Sequence, residues 1–251
     1  MKFTSITFLV SLLSFNTAIA SPTNGNTTID SFNKAKKTLE KEVVFDRRIT
    51  FYCGASFDKK KQVDLPEGFK APRHEKRSSK IEWEHVVPAE HFGKTFVEWR
   101  NGSPECMDNR GRNFKGRNCA SKTNPLYRLM QSDLYNLYPA IGSVNAVRSN
   151  LQFMQLPKHV PYAFGTCEMK VDSNHVEPPN RAKGAIARTY LYMDWAYPNY
   201  QLGRQQKRLM EAWNQQFPVE KWECTRAKRI EKIQKNENPF VKNPCQKQGW
   251  Y

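Results

Sequence analysis

The sequence has no apolar run long enough to cross a bilayer, for which a helix needs about 20 predominantly apolar residues. Its longest apolar stretch, residues 6–15, is shorter and contains Ser and Thr. It follows Lys2 and precedes Ala18-Ile19-Ala20, the pattern of a cleavable signal peptide. We therefore predict a signal peptide at residues 1–20, a single domain at residues 21–251, no membrane association, and export to a periplasm or to the medium.

Acidic residues are scarce, with 24 Asp and Glu against 40 Lys and Arg, a formal net charge of +16. Loss of a leader that contains Lys2 would leave about +15. A strongly basic exported protein commonly meets a polyanion, because its field raises the encounter rate with nucleic acid, anionic polysaccharide or lipid headgroups. The plain alternative is that the charge only maintains solubility.

No Cys-x-x-Cys pair occurs, so neither a zinc ribbon nor a thioredoxin-type site is supported. An even number of cysteines behind a signal peptide instead favours disulfides. Residue order alone leaves every pairing open among Cys53, Cys106, Cys119, Cys167, Cys224 and Cys245.

Histidine is also rare, and the spacing of a zinc protease is missing. That pattern needs two histidines four residues apart on one helical face, with Glu after the first. His85 and His91 are further apart, and Pro88 between them argues against a continuous helix.

Apolar spacing indicates a helix-dominated α+β protein. It predicts helices at residues 29–42, 125–137, 184–197, 202–216 and 224–235. Residues 48–54 and 81–87 have strand patterns and are candidates to pair with each other. Residues 100–124 form a long polar excursion, which a Cys106–Cys119 bridge would fasten.

Glu84 and His85 lie side by side in the second of these strands. Adjacent strand residues point to opposite faces, so an acid and a base here can serve different partners, such as a metal ion and a water. An ordinary surface Glu beside a half-buried His would give the same pattern. Asn136 offers an amide oxygen to a hard cation but is equally a helix-end residue. Arg148 could hold a phosphate or pair with a carboxylate.

In this order, these segments resemble the bacterial endonuclease I family of periplasmic and secreted non-specific nucleases. The resemblance covers roughly residues 45–248. It rests on residues 51–54, 82–89, 133–140, 144–150, 167–172, 177–190, 222–224 and 238–240.

The resemblance implies a ββα-metal, or His-Me finger, nuclease core. It implies that His85 is the general base, and that Glu84 and Asn136 bind one catalytic Mg²⁺, with Mn²⁺ or Ca²⁺ as other possibilities. A neutral imidazole with a pKa near neutrality can take a proton from water, and a hard cation offsets charge on the leaving oxygen. The expected activity is sequence-non-specific cleavage of DNA and RNA by a monomer, leaving 5′-phosphate ends.

The family places its phosphate-holding arginine in a Gly-Arg segment before a cysteine, which is best matched by Arg117. The spacing here is one residue short, so Arg112 remains an alternative, and Arg148 is a further phosphate contact. The resemblance and loop closure give the disulfides expected: Cys53 with Cys167, Cys106 with Cys119, and Cys224 with Cys245.

Two positions near the site depart from the family pattern. Tyr135 stands where the family usually has His, and Ser143 where it usually has Glu. They favour a second hypothesis, a non-catalytic basic protein that binds extracellular nucleic acid. Two cysteines common in relatives are also absent, which is expected if they were partners in one bridge.

Overall fold

The computed structural model describes residues 23–251, and the predicted signal peptide lies outside the described residues. Helix is the main element, and the strands form small separate sheets, which confirms the predicted α+β class. The α-helices are α1 (Phe32–Thr38), α2 (Ala89–Gly93), α3 (Val97–Arg100), α4 (Arg117–Thr123), α5 (Pro125–Gln131), α6 (Gly142–Arg148), α7 (Asn180–Ala196), α8 (Arg204–Gln216), α9 (Lys221–Gln234) and α10 (Pro239–Lys247). The strands are β1 (Ser56–Phe57), β2 (Val63–Asp64), β3 (Ile81–His85), β4 (Leu137–Ile141), β5 (Gln152–Phe153), β6 (Tyr162–Phe164), β7 (Cys167–Val171) and β8 (His175–Glu177).

Strands β3 and β4 form an antiparallel pair, in which Ile81 lies opposite Ile141 and His85 opposite Leu137. Helix α6 follows β4 directly and packs against both strands. The junction needs Gly142, because a Cβ there would lie 2.4 Å from the carbonyl oxygen of Arg77. This strand–strand–helix unit carries Glu84 and His85 at the end of β3.

One hydrophobic core runs from Ile29 near the start of the described chain to Cys245 in α10. Helix α7 is its most buried long element and packs against α8. Strands β1 and β2 form an antiparallel pair, and the other four form a sheet in the order β5-β8-β7-β6, with β5 and β8 parallel. None of the helices described is both long and apolar enough to traverse a bilayer.

Three disulfides connect the expected partners. Cys53 is bonded to Cys167, Cys106 to Cys119, and Cys224 to Cys245. The first joins the segment before β1 to β7, and the third joins α9 to α10. The second closes the polar excursion and fixes α4, which begins inside it. The pairing implied by the resemblance is therefore confirmed.

The predicted strand at residues 48–54 is wrong. That segment makes only an isolated bridge at Ile49 and then turns, and Phe51 donates its N–H to Pro139 of β4 instead of pairing with β3. The predicted helix at 125–137 is also too long. It ends at Gln131 because Asp133 starts a new 3₁₀ turn, Leu134–Asn136, which leads into β4. Asn136 thus ends the 3₁₀ turn immediately before β4 and does not lie at the end of α5.

Candidate active site

His85 is held by its ring nitrogen Nε2, which lies 2.8 Å from the carbonyl oxygen of Gln131. A carbonyl only accepts, so Nε2 carries the proton and Nδ1 keeps its lone pair. The ring also packs on Phe32 of α1, with centroids 4.9 Å apart, and is 8% exposed. The contacts of His85 therefore fix both the tautomer and the orientation of the imidazole.

The environment of His85 disfavours its protonated form. Burial lowers its pKa from 6.5 to about 3, and the positive charges of Arg117 and Arg148 act in the same direction. The hydrogen bond to Gln131 opposes this shift. The expectation of a pKa near neutrality is wrong for the free protein, in which the imidazole is neutral throughout the physiological range.

Arg117 is the arginine beside His85. Its Nη2 lies 3.4 Å from Nδ1 of His85, and its guanidinium lies 5.4 Å from the ring centroid of Phe32. Gly116, immediately before α4, has φ 75° and ψ −152°, a conformation that is essentially restricted to glycine. This turn and the disulfide at Cys119 set the direction in which Arg117 leaves the helix.

Arg112, the alternative arginine, lies elsewhere. Its side chain is 70% exposed, and Nη2 lies 2.8 Å from the carboxylate of Asp108 in the same loop. The structure therefore brings Arg117 and not Arg112 next to His85.

Glu84 lies on the other side of β3 in a closed environment. Its Oε1 accepts a hydrogen bond from the hydroxyl of Tyr52 at 2.8 Å and lies 2.9 Å from Nη1 of Arg148. Burial raises the pKa of Glu84, while Arg148 and Tyr52 oppose the rise. Within residues 23–251, Oε2 of Glu84 has no hydrogen-bond partner and is the atom left for a cation.

The predicted role of Arg148 as a phosphate contact does not fit its position. Its side chain has no exposed surface. The guanidinium donates to the carbonyl oxygens of His85 and Val86 and to the hydroxyl of Tyr190, besides pairing with Glu84. Arg148 thus braces the end of β3 from inside. No helix was predicted at residues 142–148, and the sequence does not show which face of α6 is covered.

Asn136 is fully buried, and its amide is engaged with the backbone of Val87. Oδ1 accepts from the Val87 N–H at 2.7 Å, and Nδ2 donates to the Val87 carbonyl at 3.0 Å. The turn that presents Asn136 is fixed by Asp133, which caps it through the N–H of Tyr135. Asp133 also accepts hydrogen bonds from the hydroxyls of Tyr192 and Tyr197, each at 2.7 Å or less.

The donor atoms of Glu84 and Asn136 suit a hard divalent cation in type. Glu84 pairs with Tyr138, two residues beyond Asn136, so Glu84 near the end of β3 and Asn136 just before β4 lie at the same end of the β3–β4 pair. A carboxylate oxygen without a partner and an amide oxygen with a second lone pair are oxygen donors of the kind that Mg²⁺ prefers. In the described part of the chain, no cluster of three or more His, Cys, Asp or Glu is placed to hold a metal ion.

An open cleft of about 540 Å³ lies beside the imidazole. Phe32, Arg117 and Gln131, the residues that contact His85, all line it, together with Arg128. Lys36 lies over the outer part of the Phe32 ring, 4.7 Å from its centroid. A basic cleft against a neutral imidazole can admit a phosphodiester.

Three supporting residues were not predicted as part of the site: Phe32, Tyr52 and Gln131. Tyr52 belongs to segment 51–54, which carries the resemblance but has no reactive group that marks it. Phe32 follows the helical pattern of a core residue. Gln131 acts through its backbone carbonyl, which no side-chain pattern reveals.

The two departures from the family pattern point away from the cleft. The hydroxyl of Tyr135 donates to the backbone oxygens of Ala227 and Asn236, and its ring packs on Tyr192 in the core. Ser143 accepts a hydrogen bond from Ser78 and is buried. Neither side chain is among the groups that contact His85 or Glu84, so the hypothesis of a lost activity loses its support from these positions.

Fold and site together define a basic, disulfide-bonded α+β protein with an imidazole, a carboxylate and an arginine at one strand end. The family model described as Endonuclease I matches residues 26–245. The Endonuclease-1 of Buchnera aphidicola subsp. Baizongia pistaciae (strain Bp) is 38% identical over 248 residues, 96% of this chain and 95% of that protein. An extracellular deoxyribonuclease of Aeromonas hydrophila is 39% identical over 245 residues, 94% of this chain and 98% of that protein. A periplasmic deoxyribonuclease of the same species is 40% identical over 204 residues, 78% of this chain and 79% of that protein. The chain belongs to the Endonuclease I family.

Proposed function

We propose that this protein is an exported, metal-dependent, sequence-non-specific endonuclease that hydrolyses DNA and RNA as a monomer. The observation that carries the proposal is the fixed imidazole of His85, with Nε2 bonded to a carbonyl and Nδ1 beside Arg117, a residue that lines an open cleft together with Arg128. Relatives named as extracellular and periplasmic deoxyribonucleases support both the activity and the export. The disulfides suit an oxidising compartment.

In this mechanism, Nδ1 of His85 takes a proton from the water that attacks phosphorus. Arg117 moves from Nδ1 to the scissile phosphate, and this movement frees the lone pair of Nδ1. The guanidinium group then donates hydrogen bonds to two phosphate oxygens. The anionic phosphate then raises the pKa of His85 from its low value and makes it a stronger base. The bond between phosphorus and the 3′ oxygen breaks and leaves a 5′-phosphate, and the 3′ oxygen takes a proton from solvent water to become a hydroxyl.

Glu84 and Asn136 would hold the cation, Mg²⁺ or else Mn²⁺ or Ca²⁺. When bound there, it would supply Lewis-acid stabilisation of the charge that develops on the leaving oxygen. The arrangement of β3, β4 and α6 is the order expected of a ββα-metal core. Arg148 and Tyr52 orient Glu84 from the interior through Oε1, so that Oε2 would be the atom to hold the cation.

The lack of base selection follows from the kind of groups that surround the cleft. Arginine and lysine side chains bind backbone phosphates, which carry no sequence information. RNA presents the same phosphodiester, so the proposal extends to both nucleic acids.

A plasmid-nicking assay tests the proposal. Wild-type protein is expected to convert supercoiled DNA with Mg²⁺ and not with EDTA. His85→Ala should lose cleavage but still retard DNA in a gel, whereas His159→Ala, at an exposed histidine, should keep both. Full activity of His85→Ala would disprove the assigned base. Retardation without any nicking by the wild type would favour the nucleic-acid-binding alternative.

A further inference from the structure

A second pocket, of about 420 Å³ and partly enclosed, lies apart from the cleft at His85. Its wall contains the rings of Phe51, Tyr138 and Trp222 and the arginines Arg47, Arg181 and Arg226. None of these six residues lines the cleft. The mechanism proposed above gives this pocket no role.

The pocket gathers residues from the resemblance segments that the proposed mechanism does not use. Phe51, Arg181 and Trp222 fall in residues 51–54, 177–190 and 222–224, which carry the resemblance described above. They are far apart along the chain and belong to a turn, the start of α7 and the start of α9. Their convergence at one pocket gives these segments a common location.

Positive charge exceeds negative charge in the wall of this pocket, which contains four arginines and two glutamates, Glu220 and Glu223. In the part of the chain that the structure describes, Arg47, Arg181 and Arg226 form no ion pair with a carboxylate, whereas the nearby Arg188 holds Glu223 through two hydrogen bonds. Burial lowers the pKa of Arg181, and the charge of Arg47 adds to this effect although Glu220 opposes it. An anion would relieve the repulsion between these arginines.

Arg226 also has an unused donor. Its side chain is buried, with the residue 3% exposed, and its Nη2 donates to the carbonyl oxygens of Leu134 and Leu137. Its Nε has no hydrogen-bond partner among the described residues. This Nε is itself buried, so the contribution of Arg226 to an anion in the pocket is the charge of its guanidinium group.

The aromatic rings add a preference for planar groups. Phe51 stacks on Tyr138 with centroids 4.1 Å apart, and the guanidinium of Arg226 lies 3.7 Å from the Tyr138 centroid. Arg47 lies over Trp222 at 5.4 Å. Aromatic faces beside guanidinium groups bind a flat ring and an anion together.

We propose that this pocket binds one nucleotide unit, with its base against the aromatic wall and its phosphate at Arg47 and Arg181. The unit has two sources with the same chemistry, a free 5′-mononucleotide or one nucleotide of a bound strand. This inference rests on the geometry of the pocket and does not require His85 to be catalytic.

Calorimetric titration of the whole protein in EDTA tests the pocket directly. Deoxyadenosine 5′-monophosphate should bind saturably and about ten-fold more tightly than deoxyadenosine or inorganic phosphate alone. A mononucleotide has no internucleotide bond to cleave, so this result is independent of nuclease activity. Equal affinity for mononucleotide and inorganic phosphate, or no saturable binding, would overturn the proposal.

Substitutions in and outside the pocket test whether the mononucleotide binds there. Arg47→Ala, at an exposed arginine, and Trp222→Ala should each weaken the mononucleotide by about ten-fold. Arg208→Ala removes the same charge from the exposed face of α8, outside the pocket, and should change nothing. If Trp222→Ala melts early, Arg47→Ala alone decides. An equal effect of Arg47→Ala and Arg208→Ala would contradict the assignment.

A further experiment in the His85→Ala background distinguishes a free mononucleotide from one nucleotide of a bound strand. If the pocket takes a nucleotide of the strand, Arg47→Ala should weaken long oligonucleotides more than short ones. If it takes free nucleotide, Arg47→Ala should weaken binding of the mononucleotide, and its effect on the binding of oligonucleotides should be the same for short and long ones.

Discussion

At the residue scale, the state of His85 depends on opposing contacts. Burial and Arg117 keep the ring neutral, and the carbonyl of Gln131 directs the lone pair to Nδ1. A base prepared in this way accepts a proton strongly only when a negative charge arrives beside it. The low pKa therefore ties the basicity of His85 to phosphate binding.

The buried neutral imidazole should make the folded protein sensitive to acid. An unfolded His takes up its proton below about pH 6.5, but His85 in the folded state does so only near its pKa of about 3. The unfolded state thus binds one more proton between these values, and stability is lost as the pH falls through this window. Below pH 6, the free energy of unfolding of the wild type should therefore fall more steeply than that of His85→Gln. The difference should be up to about 1.4 kcal/mol per pH unit.

Urea unfolding of both proteins at pH 6, 5 and 4, without added metal, measures this difference. Other titrating groups, including His91, are common to wild type and variant and cancel in the comparison. Parallel pH dependence of the two proteins would show that His85 is protonated in the native state.

The arginines of the polar excursion give a second test at this scale. Arg117→Ala removes the group beside Nδ1 and should lower kcat by about 10²- to 10³-fold, the usual loss for one donor to a developing charge. Arg112→Ala removes an exposed arginine paired to Asp108 and should stay within about two-fold. Steady-state cleavage of a fluorescent oligonucleotide measures both, and equal losses would mean that Arg112 also reaches the substrate.

At the element scale, α4 is positioned by the turn before it. Gly116 adopts φ 75° and ψ −152°, and a Cβ there would meet no atom within 4 Å, so the cost of Gly116→Ala lies in the backbone alone. That cost is about 1–3 kcal/mol. The variant should melt earlier and lose kcat, because relaxation of the turn moves Arg117 from His85. Gly111→Ala is a matched control at φ 74°, also without neighbours, and should lose stability with little change in kcat.

The sequence predicted most long helices and the strand β3, but not α4, β4 and α6, which complete the site. Leucines at helical spacing continue past Gln131, so periodicity extends α5 into what is the Asp133 turn and β4. Pro139 lies inside β4, although proline has no N–H to donate to a neighbouring strand. It is tolerated because β4 belongs to a two-stranded sheet with a free edge, at which its carbonyl accepts from Phe51.

The same limit applies to the candidate site. Adjacent order along β3 was sufficient to predict that Glu84 and His85 face different partners. The burial of Arg148 and the carbonyl of Gln131 at Nε2 depend on contacts across the fold, since α6 and α5 reach β3 only in the folded chain. Residue types identified the reactive groups, and tertiary packing determined their protonation and their access to substrate.

At the scale of the whole molecule, the excess of positive charge and the disulfides have separate consequences. The bridges join the segment before β1 to β7, close the excursion at α4, and join α9 to α10. Each bridge stabilises the folded state because it reduces the conformational entropy of the unfolded chain. For a loop as short as that between Cys106 and Cys119, the stabilisation is about 3 kcal/mol. The net charge of +16 favours association with a polyanion, because it raises the concentration of the polyanion near the protein surface.

Binding of nucleic acid should therefore depend steeply on salt and little on sequence. Neutralising about four phosphates gives a slope of log K against log salt near −3.6, or roughly a 10²-fold loss of affinity between 50 and 200 mM salt. His85→Ala allows this measurement on uncut DNA by fluorescence anisotropy. Duplexes of unrelated sequence should give the same slope, and Arg117→Ala in this background should make it shallower by about one unit. A slope near zero, or a large difference between sequences, would show that recognition does not rest on backbone phosphates.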